Sequence, residues 1–350
     1  MKRHNVLLRF LCLAILFTAG LGIAGSGQAA YHLIKKIPYG GASGGRESFD
    51  YLTFDSAARR VYLSHGTEVK VVEADTGKVV GNITGLKRCH GIALVHESGK
   101  GFITDGDAGA VVIFDLKTLK VTGQVKTADD TDAIIYDPAS GHIFSFNGDS
   151  HSATAIDPQT GTVVGSVDVG GGPEFAVADG KGTIFNNNEK TNEVVVIDSR
   201  KLAVKARWPV KPAGAPTALA LDREHRRLFI GGREPQMLVV MNADNGKVIQ
   251  SFPISAGVDA AVFEPETGMI FASTRDGMVH IFHEDTPDKY SVVETVTTEY
   301  GAKTMALDPK THNIYLTTAD FGEPGPPTAK RPHPGRAMVP GTFHLLIYGR

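Results

Sequence analysis

Cysteine is nearly missing from this chain: two of 350 residues, Cys12 and Cys89. Cys12 falls in an N-terminal leader (below), so the mature chain keeps Cys89 alone and no intrachain disulfide can form, even in an oxidising compartment. No Cys-x-x-Cys-His occurs, which excludes covalent c-type haem. An excess of charge is also lacking. The 36 Lys and Arg against 38 Asp and Glu leave a formal net charge of −2, so no general field draws the chain to nucleic acid or an anionic membrane. No P-loop or dinucleotide glycine fingerprint stands in a strand–helix context. No aromatic-plus-basic stripe offers a base-stacking platform, and nucleic acid is not an expected partner.

Turn chemistry, by contrast, is abundant. Forty Gly and 18 Pro are too many for a helical bundle, and the Gly has no strict period of three, which excludes collagen. With 42% hydrophobic and 21% charged residues, the chain has the composition of a globular protein with a sizeable core.

Residues 1–29 read as a secretory signal peptide. Lys2, Arg3 and Arg9 precede an apolar run from Phe10 to Ile23, and small Gly27 and Ala29 mark cleavage after Ala29. The run is shorter than the roughly 20 residues of a membrane span, and no second run of that kind follows. Losing the three basic residues takes the net charge from −2 to −5. A periplasmic or secreted, monomeric product is expected.

From residue 30 onward the chain repeats itself seven times. Each unit has a short apolar strand, a turn opened by an acidic residue or His, and a second strand with an early aromatic. Those aromatics are Tyr62, Phe102, Phe144, Phe185, Phe229, Phe271 and Tyr315, spaced by 40, 42, 41, 44, 42 and 44 residues. A β-branched third strand follows, as in Val194-Val195-Val196-Ile197, and then a fourth. Four strands in about 42 residues, with no amphipathic helical period, is the spacing of a propeller blade. The last unit ends after its third strand, Phe343 to Tyr348, while His32 to Ile37 form a stray strand ahead of the first unit. That stray strand is expected to complete blade seven. The fold class is all-β: a single seven-bladed β-propeller of four-stranded antiparallel blades over 30–350, closed by its N-terminal strand.

The strand ends Tyr62-Leu63-Ser64-His65, Phe102-Ile103-Thr104-Asp105 and Tyr315-Leu316-Thr317-Thr318, each followed by a further strand, resemble the YVTN-repeat family of bacterial seven-bladed propellers. The resemblance spans 31–350 and rests on residues that define strands and turns. It implies the fold and export; within the wider fold it is compatible with lactone hydrolases, with parts of redox enzymes and with binders of macromolecules. With Trp208 alone, the Trp-docking motifs of quinoprotein dehydrogenase propellers are missing.

Several motifs read as scaffold. The Asp-Pro pairs at 137, 157 and 308 recur in register with the blades and open turns. Gly41-Ala42-Ser43-Gly44-Gly45 formally matches a hydrolase elbow but sits in a linker rather than a strand-to-helix turn. His283 occupies the turn position of Asp198, and His280 is placed on a surface strand. Asn82-Ile83-Thr84 is a weak glycosylation match.

Two series do not repeat from blade to blade, and variation within a regular repeat is where chemistry is expected. One opens each innermost strand: Asp50, His90, Asp132, Glu174, Thr217, Asp259 and Lys303. The other ends each second strand: His65, Asp105, Asn147, Asn188, Gly232, Thr274 and Thr318. Both should surround the channel mouth, with ligand-binding candidates Asp50, His65, His90, Asp105, Asp132, Asn147, Glu174, Asn188, Asp259 and Lys303. Oxygens of Glu174, Asn147, Asn188 and Asp259 would suit Ca²⁺ or another divalent cation, and His65, Cys89, His90 and Asp105 would suit Zn²⁺ or Cu. Alternatively Arg46, Arg88, Arg233, Arg275 and Lys303 neutralise the acids in inter-blade ion pairs. A Pro-rich, basic insertion from Phe321 to Pro340 interrupts blade seven and is expected on the same face, as a lid, a docking loop or a tolerated surface segment. The expected function is binding or scaffolding at the mouth, for a small ligand or an exported protein. A metal-dependent hydrolase of lactones or esters, or an accessory subunit of a periplasmic redox system, are the alternatives.

Overall fold

A computed structural model describes residues 30–327 and 334–350, so the signal-peptide reading of 1–29 lies outside the described residues. Seven four-stranded antiparallel sheets form the ring. Their inner strands are Phe49–Asp55, Cys89–Val95, Thr131–Asp137, Pro173–Ala178, Pro216–Asp222, Val258–Glu264 and Met305–Leu307. Helical structure among the described residues is limited to two 3-10 turns, His96–Ser98 and Gly106–Ala108.

The ring closes as the sequence leads one to expect. His32–Gly40 pairs antiparallel with Phe343–Gly349, with Leu33 opposite Tyr348 and Ile37 opposite Leu345, so blade seven is built from both ends of the chain. The strand Phe343–Gly349 is buried along its whole length, and the N-terminal strand covers what would otherwise be an open hydrogen-bonding edge.

The periodic aromatics are the wedges between blades. Six of the seven are fully buried, and Tyr315 is 2% exposed. Each apolar cluster draws on two neighbouring blades; one joins Tyr62 and Val71 of blade one to Ile92 and Phe114 of blade two. Burying a ring of this size is worth roughly 2–3 kcal/mol, and the repeat places it at every junction.

The turns fold as the Asp residues dictate. Asp137 accepts from the backbone of Ala139 and Ser140, and Asp308 from that of Lys310. The glycine segment 41–45 is a loop between the closing strand and blade one. His283 pairs with Asp285, and His280 accepts from the Ser255 amide.

Candidate functional site at the channel mouth

In six blades the inner strand begins with a register irregularity, as between Phe49 and Leu52, Cys89 and Ile92, or Thr131 and Ile134. Bulges re-aim side chains, and the second residue of each of these strands belongs to the first variable series. Lys303 supplies the seventh, just ahead of Met305–Leu307.

The result is a run of polar contacts around most of the ring. His90 Nδ1 lies 2.7 Å from Asp50 Oδ2 and 3.2 Å from Asp132 Oδ1. Lys303 Nζ donates to Asp50 Oδ1 at 3.0 Å and also pairs with Asp259, which in turn holds Arg233. Arg233 lies 3.9 Å from Glu189. Thr217 stands apart: its hydroxyl donates to the Ala215 carbonyl.

Burial opposes charge here, and the neighbours decide which groups keep it. Burial alone would raise Asp50, but the Lys303 ammonium and His90 hold it well below the usual carboxylate range. Asp132, lacking a hydrogen bond from His90, is pushed up to about 6 by burial and by Asp50. Glu174 is pushed up to about 9 by burial, by Asp132 and by a hydrogen bond shared with Glu189. Burial lowers His90 and Lys303, yet their acidic partners carry both above their ordinary values. At neutral pH the ring therefore holds Asp50 ionised against Lys303, with Glu174 neutral.

Below the ring the channel is plugged. Tyr51 of blade one meets Phe175 of blade four edge to face, with ring centroids 5.4 Å apart. They line an apolar cavity of about 60 Å³ with Ile92, Ile134 and Met305. Above it, a cleft of about 340 Å³ opens at the junction of blades one, two, six and seven, lined by Arg46, Arg88, His90, Arg275 and Lys303 with Asp50. Its apolar wall is Phe49, Phe321 and Met338. The last two come from the insertion, whose stem is the hairpin of Phe321–Pro324 with Arg336–Met338 rather than a plain extended loop. Phe321 packs edge to face on Tyr300, and Arg336 stacks over the same ring. Residues 328–333 of the insertion lie outside the described residues.

The basic residues sort as the ion-pair alternative anticipated, with one exception. Arg46 pairs with Asp107, and Arg88 with Asp107 and Asp130. Arg275 is exposed and has no ion pair among the described residues.

The second variable series plays a different part from the one expected at the mouth. Its members are buried, and the polar side chains among them bond to neighbouring loops and strands. Asp105 accepts from the Lys87 and Arg88 amides. Asn147 donates to Ser152 and Thr154. Asn188 spends its amide on the loop around Val169 to Gly172. His65 is fully buried, stacked 4.0 Å from the Phe343 ring and held by Glu47. The expected oxygen quartet Glu174, Asn147, Asn188 and Asp259 is thus not assembled: Asn188 binds its loop, Asn147 donates to the neighbouring strand Ser152–Asp157 and leaves its buried Oδ1 without a partner, and Asp259 already faces two cations. The nitrogen–sulfur quartet is dispersed as well, because Cys89 donates to the Glu68 carbonyl and His90 to Asp50. The donor atoms that do converge at the mouth are those of Asp50, His90 and Asp132, within 4.8 Å of one another. Lys303, 3.0 Å from Asp50, already supplies positive charge there.

Three participants escaped the sequence. Glu189 directly follows a second strand, in the slot of Gly66, Gly106 and Gly148; a charged residue in a glycine slot was the available signal. Tyr51 and Phe175 each follow a ring residue, and nothing in a linear pattern puts blades one and four in contact.

No protein-family model matches the chain, and no curated protein matches it in sequence. Among solved structures it is similar to hydrazine synthase of Kuenenia stuttgartiensis, with a TM-score of 0.68 and 14% identity. The similarity covers 76% of this chain and 91% of that one, and shows the propeller fold alone.

Proposed function

We propose that this chain is an exported binding module of the YVTN-repeat kind, and that it seats a small organic anion in the cleft at the channel mouth. The observation that carries this reading is Arg275: exposed and free of ion pairs among the described residues, it faces the same cleft as Arg46, Arg88, His90 and Lys303. The other cations are spoken for by Asp107, Asp130, Asp50 and Asp259, so Arg275 is the group left to meet an incoming carboxylate or phosphate, for which the guanidinium fork is suited. Phe49, Phe321 and Met338 give a ligand's apolar part a wall to bury against, the usual composition of a small-molecule site. The plug of Tyr51 and Phe175 closes the floor. The YVTN-type strand ends support export and membership of that repeat group.

The test is a melting-temperature screen of the purified protein against mono- and dicarboxylates and phosphate monoesters. A ligand should raise the wild-type melting temperature and fail to do so for Arg275→Ala. If no organic anion shifts the wild type, this reading fails.

A further inference from the structure

On the opposite face, one position breaks the repeat in a way that points to a ligand. In four blades the residue after the third strand donates its amide to the preceding hairpin, Ala74 to Arg59, Leu116 to Gly99, Ser199 to Gly182 and Ala243 to Arg226, and in blade six Glu284, inside the longer third strand Met278–Thr286, makes the same bond to Gly268. Four blades place a small or apolar side chain there, Ala74, Leu116, Ser199 and Ala243, and Pro158 stands in the corresponding place of blade three. Blade six places a carboxylate. Glu284 is 9% exposed, and neither of its carboxylate oxygens accepts a hydrogen bond. A buried ionised carboxylate costs several kcal/mol unless positive charge faces it.

What faces it is a set of metal-ligating atoms. His225 Nδ1 is 3.0 Å from Glu284 Oε1 and 2.8 Å from Asp222 Oδ2. Asp222 is itself buried, at the mouth of the blade-five turn, and the three donor atoms lie within 4.8 Å of one another. A small cavity of about 70 Å³ borders them, lined also by Glu224 and Phe263, so a fourth position is open to water. Elsewhere in the ring this junction is closed without such a set: Arg226 pairs with Asp179, Arg59 with Asp308 and His312 with Glu264. The turn of blade six offers no base to Asp222.

We propose that Asp222, His225 and Glu284 form a divalent-metal site between blades five and six, selective for Zn²⁺-type ions over Ca²⁺. One imidazole nitrogen with two carboxylates suits zinc, at about 2.0–2.2 Å per ligand, better than the all-oxygen shell calcium prefers. Small outward shifts of His225, which is half-exposed, would bring the donors to that spacing. Binding exchanges the Nδ1 proton of His225 for the metal and needs no redox partner.

The test uses untagged protein, stripped with chelator and titrated with Zn²⁺ by calorimetry, with Co²⁺ absorption as the signature of a tetrahedral site. Glu284→Ala restores the residue of blades one and five, so it should fold at least as stably as the wild type; His225→Ala is the second variant. One equivalent of Zn²⁺ should bind the wild type and raise its melting temperature, and both variants should lose that binding. Absence of stoichiometric binding to the wild type overturns the proposal. So does undiminished binding by Glu284→Ala, which would move the metal to another donor set such as Asp50, His90 and Asp132.

Discussion

Lys303 Nζ donates to Asp50 Oδ1 at 3.0 Å, tying the last blade to the first where the two ends of the chain meet. The ammonium is only 15% exposed and also holds Asp259, so two carboxylates depend on it. Removing one partner of a buried pair costs about 3 kcal/mol because the other charge is stranded. Lys303→Met should lower unfolding free energy by about that much in chemical denaturation. Adding Asp50→Asn to it should recover part of the loss, as a double-mutant cycle reads coupling between contacting groups. Equal stability of Lys303→Met and the wild type would show that the ring does not bear on closure.

The ring should also write itself into the pH dependence of stability. Glu174, held at about 9, and Asp132, at about 6, bind protons in the native state that the unfolded chain has already released. Native stability therefore falls as pH rises from about 4.5 towards 9. His90, raised by Asp50, acts in the same direction, its contribution disappearing as pH climbs through its folded value. Asp50 acts oppositely, its contribution disappearing only as pH falls below the ordinary carboxylate range. Glu174→Gln mimics the neutral acid and should flatten the slope, gaining at least about 1 kcal/mol on the wild type between pH 5 and pH 8. Parallel profiles for the two proteins would place Glu174 among ordinary ionised carboxylates.

The closing strand makes a separate claim. Without residues 30–40 the edge of Phe343–Gly349 is bare along a fully buried strand, and such edges recruit other chains. A protein lacking them should melt earlier and elute from size exclusion as aggregates. A truncated protein that stays monomeric with the original melting temperature would contradict the closure argument.

Cys89 is 2% exposed, and burial pushes its thiol up to about 12. A thiol of that kind is inert in the native state. Aromatic disulfide reagents at pH 8 should label it only after denaturant is added. Labelling of the native protein within minutes would mean that the mouth opens locally.

What the sequence made legible follows from where each signal lives. The aromatic ladder from Tyr62 to Tyr315 is local and periodic, so blade number could be read from it, and the pairing of His32–Gly40 with Phe343–Gly349 from a last unit that stops after its third strand. The ring series was legible because Asp50, His90, Asp132, Glu174, Asp259 and Lys303 share one slot per repeat. Their pairings were not legible, since a ring brings Lys303 beside Asp50 across 253 residues of chain. The second series shares a slot as well, yet Asn188 and Asp105 turn their polar atoms back onto their own loops; the repeat gives the position of a side chain and not its rotamer. Glu284 occupies the slot of Ala74 and Ala243, but the groups that face it, Asp222 and His225, come from the preceding blade and carry no local mark.

The mouth cleft is proposed to bind an organic anion through Arg275. The most direct measurement is the calorimetric affinity of one such anion for the wild type, Arg275→Ala and Arg275→Lys at two salt concentrations. The account predicts binding that weakens with salt, an approximately 10-fold or greater loss for Arg275→Ala (charge-assisted hydrogen bonds being worth about 1.5–3 kcal/mol), and partial retention by Arg275→Lys, which keeps the charge without the fork. Affinity unchanged across the three proteins would contradict it.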